Sequence, residues 1–203
     1  MGGGKVGERK IERMIACGAK VAVVSRELTP QLKKQKDQGL FEHVKADYDA
    51  ACLEGAFMVM GATNSDEVNR RISEDAAARG ILANIADDPA RGDFILPALV
   101  RQGDLQIAIS TGGKSPALAK KLRHDLESSF GQEYEVFLHI IGKIRKRLAS
   151  PEGHAGENKK IFTALVNSDL LCHIKEKDWR KVKECILNIT GLDLEITDDR
   201  VEI

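Results

Sequence analysis

Two carboxylates, Asp87 and Asp88, follow the apolar run Ile81 to Ile85 and are closed off by Pro89. A carboxylate where a strand ends can take a proton from a bound substrate. An Asp before a Pro also serves as a plain turn or N-cap residue, and the residues alone favour that reading. A second group is Thr111-Gly112-Gly113-Lys114, followed by Ser115 and Pro116. Ser115 suits an N-cap and Pro116 the first helical position, since the serine oxygen satisfies a free N–H and proline has none to waste. A basic, glycine-rich loop at the positive end of a helix is a pocket for an anionic ligand. A third group opens the chain: Gly2, Gly4 and Gly7 match the spacing G-x-G-x-x-G, which lets backbone N–H groups approach a pyrophosphate. That fingerprint counts only after a strand, and glycine-rich starts are often simply tails.

The elements around these groups alternate. An amphipathic helix with Val6, Ile11, Met14 and Ile15 on one side stops at Gly18. Lys20 to Val24 reads as a short strand, and Thr29-Pro30 opens a helix ending near Gly39. Leu40 to Ala46 is a weak strand and Ala56 to Met60 a strong one, ending in Gly61-Ala62-Thr63-Asn64. A helix from about Ser65 to Arg79 leads to the strand before Asp87. This is an α/β pattern with a parallel, Rossmann-like sheet covered on both faces. The first, central strand of such a sheet has no residues here, so the chain is expected to begin about one strand late.

After Asp93 the pattern changes. Phe94 to Val100 and Leu105 to Ser110 read as a hairpin around Arg101-Gln102-Gly103-Asp104. A helix from Ala117 to about Phe130 carries Leu118, Leu122 and Leu126 as a core-facing stripe. Glu133 to Leu148 is helical, with Val136, Ile140, Ile141 and Ile144 inward. Ser150 to Glu157 is a polar loop, Asn158 to Leu171 and Asp178 to Ile189 are two more helices, and the tail from Leu192 is acidic and frayed. The expected domains are 1–93 (Rossmann-like), 94–129 (small, α+β) and 130–203 (helical).

Composition narrows the function. The 203 residues are 42% hydrophobic and carry no formal net charge, which argues against nucleic acid or an anionic membrane as partner. Aromatics at 4% leave little for base stacking. No apolar run reaches the roughly 18 residues of a membrane span, and nothing reads as a signal peptide. Cys17, Cys52, Cys172 and Cys185 are scattered without a CxxC, as in reduced, mostly buried thiols of a cytoplasmic protein. His43, His124, His139, His154 and His173 lack metal-ligand spacing, so no metal site is expected. Gly113-Lys114-Ser115 is not a P-loop, because Ala108 stands where that motif needs glycine. Some 20 residues past the glycines, Ser25 or Glu27 can bond a ribose and Arg26 can accommodate a phosphate. A polar loop there is equally consistent with the residues.

The ordered segments GGGKVGERK, VSRELTP, ATNSDEVN, NIADD and FILPALVRQGDLQIAISTGGKSP together resemble one family. It is the precorrin-2 dehydrogenase and sirohydrochlorin ferrochelatase family, the amino-terminal module of sirohaem synthase and its stand-alone relatives. The resemblance covers about residues 2 to 150. It implies oxidation of precorrin-2 to sirohydrochlorin with NAD as acceptor, in many members ferrous iron insertion as well, and a homodimer joined through the small middle domain. By motif, Gly2, Gly3, Gly4, Lys5 and Val6 line the pyrophosphate. Ser25, Arg26 and Glu27 border the adenosine ribose, and Ala62 and Thr63 flank the cofactor. Asp87 matches the catalytic aspartate. Asn84 belongs to the same N-x-x-D motif, and Thr111 lies where some relatives have an active-site serine. The carboxylate-rich tetrapyrrole calls for cations and free N–H groups, for which Arg91, Gly112, Gly113, Lys114, Ser115, Lys120 and Arg123 are candidates, an ordinary solvated helix face being equally consistent for the lysines and Arg123. The alternative is a non-catalytic Rossmann dimer that binds a nucleotide or tetrapyrrole for regulation.

Overall fold

A short apolar strand flanked by a capped helix recurs through the first half of the chain. In the computed structural model, which describes residues 1–149, 155–197 and 200–202, two compact units emerge, Met1–Leu96 and Pro97–Ile203. The first unit runs α1 (Lys5–Ala16), β1 (Ala22–Val24), α2 (Pro30–Asp37), β2 (Glu42–Val44), β3 (Met58–Gly61), α3 (Asp66–Ala78) and β4 (Leu82–Ile85). Local chemistry sets the helix starts. Thr29 accepts the Leu32 N–H at 3.2 Å ahead of Pro30, and Ser65 accepts the Val68 N–H at 3.3 Å ahead of Asp66 and Glu67.

The strands pair in parallel, β1 with β2 and β3 with β4. Each pair packs its own core. Ile11, Val23, Leu28, Leu32 and Phe41 gather around β1, and Leu53, Val59, Ile72, Ala76, Ile81, Ala83 and Ile85 around β3 and β4. The single sheet expected from the alternation is therefore two parallel pairs. Met1 and Gly2 lie between them. The Gly2 N–H donates to the Val24 carbonyl at 3.0 Å, the Met1 amino group donates to the Met60 carbonyl at 2.8 Å, and the Ala62 N–H donates to the Met1 carbonyl at 2.9 Å.

Two further expectations fail. Val6 is 40% exposed, and α1 buries Gly7, Glu8 and Ile11 instead. The reason is the close approach of Gly7 to the Gly2 carbonyl, which turns that face inward. The thiols are all free, but Cys17 and Cys172 are exposed and Cys52 and Cys185 half-buried, so they are not mostly buried.

The second unit begins with an antiparallel hairpin, β5 (Ala98–Gln102) and β6 (Leu105–Ile109), around the two-residue turn Gly103-Asp104. β5 starts four residues later than expected, since Pro97 has no N–H for a ladder. It also runs through Gln102, because a two-residue turn suffices. Helices α4 (Pro116–Ser129), α5 (Glu133–Leu148), α6 (Ala155–Val166), α7 (Leu170–Lys175) and α8 (Trp179–Thr190) follow, with an antiparallel pair β7 (Glu195–Thr197) and β8 (Arg200–Glu202). Ile140, Ile141, Ile144, Leu165, Leu170, Ile174, Val182, Ile186 and Leu194 form its core.

Four differences from the sequence expectation belong here. In α4, Leu118 and Leu122 are exposed and the small Ala119 is the buried residue. The expected single helix from Asn158 breaks between α6 and α7. There Ser168 donates to the Leu165 carbonyl at 2.8 Å and accepts the Leu170 N–H at 3.2 Å, which replaces the helical ladder. Ala155 to Glu157, expected in a loop, open α6, while 150–154 lie outside the described residues. The tail is a strand pair, with 198, 199 and 203 likewise outside them. No described helix is long and apolar enough to cross a membrane.

Candidate functional site

The carboxyl ends of β1, β3 and β4 converge on the start of α1. Three glycines make that convergence possible, each for its own steric reason. Gly2 has φ +98, and a Cβ there would collide with the Ala62 carbonyl. A Cβ on Gly3 would collide with the Glu27 carbonyl, and the Gly3 carbonyl accepts the Thr29 N–H at 3.1 Å. A Cβ on Gly7 would collide with the Gly2 carbonyl. Gly4 differs: a Cβ there meets nothing within 4 Å. It is the N-cap of α1 and supplies no side-chain cap, so the first N–H groups of that helix face outward beside Lys5 and Val6, both exposed. This cradle fits a pyrophosphate. Three glycines close the turn, and the fourth leaves open space in front of a positive helix end.

Around it stand the other candidates. The half-buried Ser25 lies 3.4 Å from His43 Nε2 through its hydroxyl, and its carbonyl lies 3.0 Å from the same nitrogen. Arg26 is committed to Asp47, with contacts of 2.5 and 2.6 Å, and Glu27 is exposed. Thr63 is clamped by the buried Asn69, whose Oδ1 accepts the Thr63 hydroxyl at 2.8 Å and N–H at 3.2 Å. Asn69 Nδ2 returns a bond to the Thr63 carbonyl at 3.1 Å. That clamp fixes the Ala62-Thr63 turn that meets Gly2.

Asp87 is exposed just past β4, and its carboxylate makes no hydrogen bond or ion pair to another described residue. The turn work falls to Asp88 instead. Asp88 accepts the Ala90 N–H at 3.1 Å and pairs with Arg91 at 3.0 Å. Arg91 also pairs with Asp66 at 2.8 Å, so its guanidinium is held by two carboxylates. Asn84 is buried. Its Nδ2 donates to the Phe94 carbonyl at 2.7 Å, and its Oδ1 accepts from Lys10. Desolvation, and secondarily Arg13, hold the Lys10 pKa below its ordinary value, while the charge of Asp87 opposes that shift. Lys10 and Asp87 are thus electrostatic neighbours.

Thr111 to Ser115 lie in the second unit, between β6 and α4. Thr111 Oγ1 accepts the Ser115 N–H at 3.1 Å, and its carbonyl accepts the Lys114 N–H at 3.1 Å. Gly112 and Gly113 sit at φ +59 and +78 and are exposed together with Lys114. Ser115 caps α4 by accepting the Leu118 N–H at 3.2 Å. Among the described residues there is no group of three His, Cys, Asp or Glu that could hold a metal ion.

Residues 1–98 match the family model described as "Putative NAD(P)-binding", and residues 102–129 match "Sirohaem biosynthesis protein central". Siroheme synthase 1 of Aeromonas salmonicida is 36% identical over 171 residues, covering 84% of this chain and 36% of that protein. Siroheme synthase 2 of Cronobacter sakazakii is 32% identical over 204 residues, covering 100% of this chain and 44% of that protein. The chain belongs to the family of the amino-terminal module of sirohaem synthase. It spans less than half the length of these curated relatives. A solved structure, "SirC, precorrin-2 dehydrogenase", shares the Rossmann-like α/β fold with TM-score 0.73 at 22% identity, covering 90% of this chain and 92% of that one.

In this chain, sequence reasoning singled out the segments but not the residues that hold them. Lys10, Asn69 and Asp47 each fix a candidate group and none was named. The signal for Asn69 was present: an amide four residues after the Ser65 cap, on the face of α3 that carries Ile72 and Ala76. Lys10 and Asp47 gave none, since a charge on a mixed helix or loop reads as solvated surface.

Proposed function

We propose that this chain oxidises precorrin-2 to sirohydrochlorin with NAD as acceptor, Asp87 being the base. The observation that carries the reading is a carboxylate at the carboxyl end of β4 with no hydrogen bond or ion pair to another described residue, an electrostatic neighbour of Lys10, in the unit whose glycine turn opens at Gly4. The family membership and the NAD(P)-binding match of residues 1–98 support it. Gly2, Gly3 and Gly4, with Lys5 and Val6, would hold the pyrophosphate, Ser25 and Glu27 the ribose, and Ala62 and Thr63 the nicotinamide side. The dinucleotide, when bound, supplies the hydride acceptor.

Dehydrogenation also releases a proton, and Asp87 takes it. Asn84 holds Lys10 in place and thereby acts on the substrate side of the site. In the second unit, the exposed Lys114 is a cation of the kind that the carboxylates of the macrocycle call for. Ferrous iron is a second substrate on this reading: the four pyrrole nitrogens supply its ligands, and Asp87 accepts the protons they lose. Arg26 is tied up by Asp47 and is not free for a ribose phosphate, which favours NAD over NADP. The chain works as a homodimer, with 94–129 as the dimerising segment and 130–203 as a helical domain.

The test is turnover of precorrin-2 followed through macrocycle absorbance and NADH, with NADP in parallel. Asp87→Asn should lower kcat about 10²- to 10⁴-fold, the range for loss of a general base, while the NAD dissociation constant stays within twofold. Full activity in that variant would remove Asp87 from the mechanism. NAD binding with no turnover in the unaltered chain would favour a regulatory module.

A further inference from the structure

One face of α3 carries three polar residues, Asp66, Asn69 and Ser73. Their spacing stacks side chains one above another along a helix. Each of the three holds something. Asn69 clamps the Thr63 turn. Asp66 and Ser73 both hold Arg91. The Asp66 carboxylate accepts from the Arg91 guanidinium at 2.8 Å, and the Ser73 hydroxyl donates to the Arg91 carbonyl at 2.5 Å.

Arg91 passes that grip to the loop that contains Asp87. Its Nε pairs with Asp88 Oδ2 at 3.0 Å, while Asp88 Oδ1 accepts the Ala90 N–H at 3.1 Å, so both oxygens of Asp88 are engaged. On the other side of Asp87, the Ala86 N–H donates to the Gly61 carbonyl at 2.9 Å. Both chain neighbours of Asp87 are thus fixed, one by β3 and the other by α3 through Arg91. The far end of the loop is tied back as well. The Asp93 N–H donates to the Ala83 carbonyl at 2.8 Å, and its carboxylate accepts the Ala83 N–H at 2.8 Å.

A planar guanidinium suits this work, because it serves two carboxylates in fixed directions. The same commitment takes it away from a ligand. A macrocycle carboxylate approaching Arg91 would meet the charges of Asp66 and Asp88 already there.

We propose that Arg91 is a positioning residue for Asp87 and not a binding group for substrate. It ties the loop of the base to α3, the helix that also holds the Ala62-Thr63 turn, and so sets the base against the nicotinamide side of the site. The inference rests on the proposed role of Asp87 in proton removal. Exposed ion pairs add little to global stability, whereas a displacement of about 1 Å at a reacting group can cost about 10²-fold in rate. Breaking this brace is therefore read in turnover and in local exchange, not in melting.

The test compares Arg91→Ala and Asp66→Asn with the unaltered chain, and uses Arg70→Ala as control. Arg70 is likewise held by two carboxylates, Glu67 and Glu74, but both belong to its own helix. Amide exchange followed by mass spectrometry needs no substrate. Residues 86–92 should exchange about tenfold faster in Arg91→Ala and in Asp66→Asn, with α3 and β4 unchanged, and Arg70→Ala should match the unaltered chain. In turnover of precorrin-2 with NAD, Arg91→Ala should lower kcat about 10- to 100-fold and leave KM for precorrin-2 within about twofold. Asp66→Asn should do the same more weakly. The double variant should be no slower than Arg91→Ala alone, since both changes remove one interaction. A raised KM with kcat unchanged in Arg91→Ala would make Arg91 a substrate-binding cation and overturn the proposal. Unchanged exchange in 86–92, or an equal loss of kcat in Arg70→Ala, would also overturn it. Asp87→Asn measured alongside separates the two levels. Full activity there refutes the base, and the inference with it. Loss of activity there, with normal kcat in Arg91→Ala and Asp66→Asn, refutes only the brace.

Discussion

Gly2 and Gly4 are two residues apart and do opposite things. Gly2 is locked by its neighbours, with φ in the left-handed range and no space for a Cβ. Gly4 is free of neighbours, and its missing side chain leaves room only for something bound. Gly2→Ala should therefore destabilise the fold by about 1–3 kcal/mol or more, as strain at a left-handed position does, and should lower Tm without any ligand. Gly4→Ala should leave Tm within a degree or two and weaken NAD binding at least tenfold. Thermal denaturation of both variants, with NAD titration of the second, separates these roles. Tight NAD binding by Gly4→Ala would show that the cradle does not face the pyrophosphate. The spacing of these glycines was legible in the sequence; which of them is steric and which is open was not. That distinction is made by the carbonyls of Ala62, Glu27 and Gly2, which reach the turn from distant parts of the chain or across it. Asp87 teaches the same lesson. The pair Asp87-Asp88 offered two carboxylates for one cap, and only coordinates show that Asp88 takes the cap and leaves Asp87 without a hydrogen bond among the described residues.

At the level of elements, the starts of α2, α3 and α4 were readable because Thr29, Ser65 and Ser115 announce them locally. Where tertiary contact decides, the reading failed, as at Val6. The junction of α1 with α2 is one such contact. Glu8, in the first turn of α1, accepts the hydroxyl of Thr29, the cap of α2, and pairs with Lys5 at 3.1 Å. The Thr29 bond first, and the Lys5 bond next, hold its pKa below the ordinary 4.5. A carboxyl with a depressed folded pKa stabilises the fold above its unfolded pKa, and that contribution is lost as pH falls through the folded value. Stability should drop with acid below about pH 4.5 for this reason, and Glu8→Gln should flatten that limb. Urea midpoints of the two chains from about pH 6 to about pH 3 test it; parallel curves would mean that the bond between α1 and α2 contributes nothing measurable.

Across the whole molecule, the alternation of strands and helices gave the α/β class correctly. The two exposed leucines of α4 did not follow from periodicity. A stripe at four-residue spacing says that a helix face is apolar, not which surface covers it. Within the second unit α4 meets the hairpin through Ala119, and Leu118 and Leu122 remain 47% and 38% exposed. A two-stranded hairpin and one helix make a thin layer, and a second copy related by twofold symmetry would bury both leucines at once. Light scattering at micromolar concentration should therefore give twice the 22.3 kDa of the chain. Leu118→Glu combined with Leu122→Glu should give the single mass with an unchanged far-ultraviolet spectrum, since both side chains already face outward and eight of the nine buried residues of the helical core lie in α5 to α8. A monomer in the unaltered chain, or a dimer that survives both charges, would place the subunit contact on another surface.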